Sequence, residues 1–94
     1  MEFTVEKNRI SKTDETGKAV AEILFPAIDA NTVDITHTFV DPSLAGQGIA
    51  GQLVASVVKE LRQSGRQSTL TCSYAVKWFS QHADAADVLK KCSR

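Results

Sequence analysis

The chain has no run of apolar residues near the roughly 18 needed to cross a bilayer. Its opening, Met1-Glu2-Phe3-Thr4-Val5-Glu6, has neither the basic start nor the apolar stretch of a secretory signal. These absences make the cytoplasm the expected location and leave no role for a membrane. A surplus of positive charge is also missing. Eleven basic residues balance eleven acidic ones, for a formal net charge of +0, so no phosphate-backbone footprint exists and nucleic acid is not an expected partner. Cysteine is scarce: Cys72 and Cys92 form no Cys-x-x-Cys pair and have no metal-ligand pattern around them. No metal site is expected, and two free thiols are a better reading than a disulfide in a reducing compartment. Repeats, low-complexity tracts and linkers are absent too. The 94 residues suit one compact domain, residues 1–94, and leave no room for a second.

What is present divides into two grammars. Phe3 and Val5 alternate with Thr4 and Glu6, as in a half-buried strand. A second short strand is expected over Arg9 to Lys12, and the polar stretch from Thr13 to Lys18, with Gly17, reads as a turn. Ala19 to Ile28 is expected as a strand, Asp29-Ala30-Asn31 as a turn, and Thr32 to Val40, rich in β-branched residues, as the next strand. Asp41-Pro42 stops it, because proline cannot donate to a ladder. From Gly48 onward Ile49, Ala50, Leu53, Val54, Val57, Val58 and Leu61 form one stripe at helical period, closed by Ser64-Gly65. Gln67 to Cys72 reads as a further strand. Strand, helix and strand in that order imply a crossover and a parallel pair. Ala75, Trp78, Phe79 and His82 share the face of a short helix, and Ala83 to Lys91 is expected as a last helical stretch.

The junction between the grammars carries the chemistry. Leu44-Ala45-Gly46-Gln47-Gly48-Ile49-Ala50-Gly51 lies between a strand and a long amphipathic helix. A helix start offers unpaired N–H groups and the positive end of the macrodipole. Glycines allow positive φ and close approach of an anion, so the segment suits a pyrophosphate cradle. The same spacing also suits a plain tight turn into a helix. A P-loop fits badly because no lysine follows the glycines, and the Rossmann fingerprint fits badly because its strand would normally lie at the start of a βαβ unit.

Phe39 to Ala50, read through Gly46-Gln47-Gly48-Ile49-Ala50, resembles the coenzyme A loop of the GNAT superfamily of N-acetyltransferases, whose signature is Arg/Gln-x-x-Gly-x-Gly/Ala. Gly48 and Ala50 match its small positions, and Ala45 stands where the Arg or Gln would be. With His37-Thr38 and Cys72 included, the resemblance runs from Glu2 to about Asp87 and is nearest to the compact, stand-alone Yjdj-type subgroup. It implies acetyl-coenzyme A as cosubstrate and an amine as acceptor. It places the phosphates on Gly46, Gln47, Gly48 and Ala50, and the pantetheine arm on the main chain of Thr38, Phe39 and Val40.

The resemblance also frames the catalytic candidates. The superfamily places Asn-x-x-Ala-x-x-x-Tyr where this chain has Cys72, Ala75 and Phe79. Phe79 has no ionisable group to replace the tyrosine acid, and Tyr74 replaces it only if it turns toward the thioester. Cys72, at a strand end and a helix start, is a candidate thiolate. His37, sharing a face with Ile35 and Phe39 by simple alternation, is a candidate base beside it. A small buried hydrophobe for Cys72 and a half-buried histidine satisfied by a hydrogen bond for His37 are the competing readings. His82, Trp78 and Phe79 read as packing, and Lys90 and Lys91 as a solvated helix end.

The expected fold is therefore α/β (α+β), a minimal GNAT-like fold. It has a mixed, mostly antiparallel sheet of about five strands, a long helix after the glycine loop and short C-terminal helices. The superfamily's further strand pair, which walls the acceptor site, would lie beyond Arg94. The expected function is acetyl transfer to an unidentified amine, with cysteine participation. The alternative is a non-catalytic coenzyme A-binding or sensing module. Oligomeric state is left open.

Overall fold

The computed structural model describes residues 3–44 and 46–90. Ala45, Lys91 and Cys92 lie outside the described residues. The described residues form seven strands: β1 (Thr4–Glu6), β2 (Arg9–Thr13), β3 (Ala19–Leu24), β4 (Ala27–Asp29), β5 (Thr32–Ile35), β6 (His37–Val40) and β7 (Gln67–Leu70). The helices are α1 (Ile49–Ser64) and α2 (Ser73–Ser80), with 3-10 turns at Pro42–Leu44 and Ala83–Val88. β1, β2, β3 and β6 form one antiparallel sheet in that order, and β4, β5 and β7 form the other, with β5 and β7 parallel.

The strands expected over Ala19–Ile28 and Thr32–Val40 each break in two, so five tracks appear as seven strands. The first break falls at Phe25-Pro26. Pro26 has no N–H to give, and Phe25 leaves the ladder to pair with Asn8, whose carbonyl accepts from Phe25 N–H (3.0 Å) and whose amide donates to Phe25 O (2.9 Å). The second break is a β-bulge. Thr36 N–H donates to Leu24 O (3.1 Å), while His37 is the register partner of the same Leu24. Two residues thus oppose one, and alternation is reset. Ile35 is fully buried, Thr36 and His37 are exposed, and Thr38 is half-buried again.

α1 lays Ile49, Leu53, Val54, Val57, Val58 and Leu61 onto Ile10, Ile23, Phe25, Val33 and Ile35 in a single core cluster. Losing one of these leucines to alanine costs about 2–5 kcal/mol. Gly65 ends the helix in the left-handed region at φ 71°, its N–H donating to Leu61 O. α2 and the Ala83–Val88 turn pack beside α1, with Ala75, Phe79, Ala85 and Val88 buried in the same cluster. All helical elements therefore lie on one face of the two sheets. The last segment corrects the helical expectation over Ala83 to Lys91. Beyond Val88 the chain extends, Leu89 bridging Ser68 in parallel and Lys90 N–H donating to Ser68 O (2.9 Å). No helix among the described residues is long and apolar enough to cross a membrane.

Candidate functional site

The bulge opens the site. At Ile35 the parallel pair ends: Thr71 N–H (3.0 Å) and Cys72 N–H (2.9 Å) both donate to Ile35 O. Beyond it β6 continues with β3, while the other chain turns into α2, so β6 and β7 part. Asp41 N–H donates to Val20 O (2.7 Å), in step with the pairs Phe39↔Glu22 and His37↔Leu24. In an antiparallel ladder the intervening residues face the opposite edge. The main-chain groups of Thr38 and Val40 therefore point into the gap. Those of Phe39 are turned to β3.

The glycine loop closes the other end of the gap. Asp41 Oδ1 accepts from Ser43 N–H (2.9 Å), holding the Pro42–Leu44 turn that leads into it. Gly46 (φ 84°) and Gly48 (φ 74°) both adopt the left-handed region. Gly48 caps α1 without a side-chain hydrogen bond, and the first turn carries no acidic residue. Among the described residues the N–H groups of Ile49, Ala50 and Gly51 have no acceptor, the first intrahelical bond running from Gln52 N–H to Gly48 O (3.1 Å). Val40, Leu44, Gly46, Gly48, Ala50 and Tyr74 line a cavity of about 230 Å³ there. A groove of about 490 Å³ shares Gly48 and Gly51 with it and runs along α1 to Trp78 and His82. The two rings of that pair stack at 3.8 Å, and His82 Nδ1–H donates to Trp78 O (2.7 Å).

Cys72 stands where β6 and β7 part, half-buried. Its Sγ lies 3.5 Å from Thr38 Oγ1. Burial pushes its thiol up. The Thr38 hydroxyl and the N–H groups of Ala75, Tyr74 and Thr38 outweigh that and hold it below its ordinary value. His37 is not the neighbour that simple alternation gives it. The bulge turns it onto the exposed outer face, away from Ile35, and gives Thr38 the inward position beside Cys72. Phe79 is buried in the core, and Tyr74, 38% exposed, faces the cavity at the glycine loop. Thr38 as a hydroxyl partner was not legible in the sequence, because nothing in Thr36-His37 marks a bulge.

A family model described as GCN5-related N-acetyl-transferase matches residues 9–88. No curated protein sequence matches the chain. A GCN5-like protein from Staphylococcus aureus solved by NMR is 28% identical with a TM-score of 0.78, the match covering 99% of this chain and 91% of that one. The GNAT family N-acetyltransferase YhbS from Escherichia coli, in complex with CoA, is 25% identical with a TM-score of 0.58, over 66% of this chain and 38% of that one. Rv2747 from Mycobacterium tuberculosis, in a complex that includes CoA, shares the fold at 20% identity and a TM-score of 0.64, over 82% and 48%. The chain spans less than two thirds of the length of these two larger proteins. With the family model matching most of its length, the chain belongs to the GCN5-related N-acetyltransferase family.

Proposed function

We propose that this chain binds acetyl-coenzyme A in the gap between β6 and the start of α1 and transfers the acetyl group to an amine. One observation carries the reading. Val40 and the uncapped helix start at Gly48–Gly51 line one cavity, and Thr38, two residues earlier on the same free strand edge, lies 3.5 Å from Cys72 Sγ. A peptide-like arm adds to a free strand edge, and a pyrophosphate suits a helix start. The phosphates then fall to Gly46, Gln47, Gly48 and Ala50, with the pantetheine arm on Thr38 and Val40. The groove beyond offers the Trp78–His82 stack as a ledge for the nucleotide ring. Cys72 Sγ, next to the Thr38 hydroxyl, is placed to protonate a leaving thiolate or to take the acetyl group itself. His37, on the outer face, is left to receive the proton of the incoming amine. The buried, hydroxyl-free Phe79 favours a second reading, coenzyme A binding without turnover. A cytoplasmic location accords with both.

Thermal denaturation tests the first step. Coenzyme A at millimolar concentration raises the melting temperature of the wild type by mass action. Gly48→Val forces a β-branched residue to φ 74°, costing roughly 1–2 kcal/mol, and removes most of the coenzyme A shift while the protein still unfolds cooperatively. A folded variant with an unchanged shift would reduce the loop to a turn. Acetylation of a panel of amines, followed by mass, separates transfer from binding alone.

A further inference from the structure

The helices occupy one face of the sheets, and across the described residues the other face stays uncovered at the point where β6 and β7 part. Alternation and the bulge put Asp34, Thr36, His37 and Phe39 on that outer face, with Thr69 of β7 and Thr71 just beyond its end beside them. Thr36, His37, Phe39 and Thr71 are exposed, while Asp34 and Thr69 are half-buried.

Asp34 differs from the other acidic groups nearby. Glu22 and Glu6 on the same face are neutralised by Arg9, at 2.9 and 3.0 Å. Asp34 accepts only from hydroxyls, Thr71 Oγ1 (2.6 Å) and Thr69 Oγ1 (3.1 Å). Among the described residues no cationic side chain pairs with it. The two threonines fix the carboxylate in place without cancelling its charge. Lone pairs remain for a cationic ligand.

We infer that Asp34, held by Thr69 and Thr71 on the outer face, binds the second ammonium of a small aliphatic diamine whose other nitrogen enters the gap at Cys72. This rests on the acetyl-transfer reading and names its acceptor class. The reasoning turns on protonation. An amine attacks only as the free base, and a carboxylate touching it would stabilise its ammonium instead. Asp34 is not at the gap. It sits one residue before Ile35, where the parallel pair ends, and two before Thr36 at the bulge, about 3–7 Å along a strand that rises about 3.3 Å per residue. That offset suits a charge on the acceptor's far end. A four-carbon diamine, with bonds of about 1.5 Å, spans roughly 6 Å between its nitrogens. In the transfer the near nitrogen forms the C–N bond, the C–S bond to coenzyme A breaks, and the proton lost by nitrogen ends on the released thiol. The far ammonium stays protonated throughout.

The test compares 1,4-diaminobutane with n-butylamine, which has the same chain without the second charge. Acetyl transfer is followed for the wild type and Asp34→Asn, a variant that keeps hydrogen-bond capacity toward both threonines. The wild type is expected to favour the diamine at least tenfold in kcat/KM, mainly through KM, and Asp34→Asn to bring the ratio near one. Equal kcat/KM values in the wild type, or a preference that survives Asp34→Asn, overturns the assignment. Asp34 would then serve only to tie β5 to β7. If neither amine is acetylated, the transfer reading fails, and amide chemical shifts of the coenzyme A-saturated protein decide the binding claim. Shifts at Asp34, Thr69 and Thr71 with the diamine but not with butylamine support it, and none with either overturns it.

Discussion

Cys72 and Thr38 come from different elements, and each is ordinary alone. Cys72 ends the turn out of β7 and stands at the N-cap of α2. Thr38 is the first inward residue of β6 after the bulge. Their contact matters because a hydroxyl can serve both protonation states: it accepts from the thiol and donates to the thiolate. The donors at Cys72 favour the charged form over the opposing effect of burial. The rate of alkylation by iodoacetamide is therefore expected to rise with pH around a midpoint below 9.0. Thr38→Val keeps the shape and removes the hydroxyl donor, so its midpoint moves up toward the ordinary thiol value. The N–H donors of Ala75, Tyr74 and Thr38 remain and hold part of the shift. A midpoint that is the same in both proteins would show that the hydroxyl contact does not tune the thiol.

Among the elements, β6 decides the site. Its ladder with β3 uses the main chain of His37 and Phe39 and leaves that of Thr38 and Val40 for the gap. Amide exchange reads this directly. Without ligand, the His37 and Phe39 amides exchange slowly and the Val40 amide fast. Adding coenzyme A is expected to slow Thr38 and Val40 selectively and leave His37 and Phe39 unchanged. Protection that rises equally along the strand, or first at Phe39, would mean that no arm pairs with the free edge. The same element marks the limit of what was legible in the sequence. The α1 stripe, the glycine stop at Gly65 and the parallel pairing of β5 with β7 all follow from periodicity and order. Pro26 was an available sign that Ala19–Ile28 is not continuous, since a proline inside a strand argues for a break. The bulge had no such sign. Thr36 and His37 are not glycine, and a β-branched run reads the same with or without an extra residue. One unseen residue then moved His37 to the outer face and Thr38 to the inner one.

At the scale of the whole molecule, balanced charge makes long-range fields weak, and pH acts through local contacts. Four carboxylates, Asp41 half-buried and the other three exposed, are held below their ordinary value of 3.8, each at a connection. Asp14 accepts chiefly from the Thr16 hydroxyl in the β2–β3 turn, and Asp29 from Asn31 N–H in the β4–β5 turn. Asp41 accepts from Ser43 N–H at the entrance to the glycine loop, and Asp87 from Arg62, which ties the Ala83–Val88 turn to α1 at 2.7 Å. The sign follows from linkage. A carboxyl with a depressed folded pKa binds its proton more readily in the unfolded chain, so its contribution is complete above 3.8 and lost as pH falls through the folded value. The carboxylates should therefore leave the melting temperature nearly flat from about pH 8 to about pH 5 and lower it steeply below about pH 4. Salt at about 1 M, where the screening length is about 3 Å, should weaken the part owed to Arg62 and Asp87 and spare the three turn contacts, which are hydrogen bonds to neutral donors. The measurement is a melting curve at pH 7 and pH 3, with and without salt, for the wild type and Asp87→Asn. The variant should lose part of the salt sensitivity at pH 7, the ion pairs of Arg9 with Glu6 and Glu22 and of Lys90 with Asp29 keeping the rest, and keep most of the acid loss. A melting temperature that holds or rises below pH 4 would show that these turns do not carry the acid response.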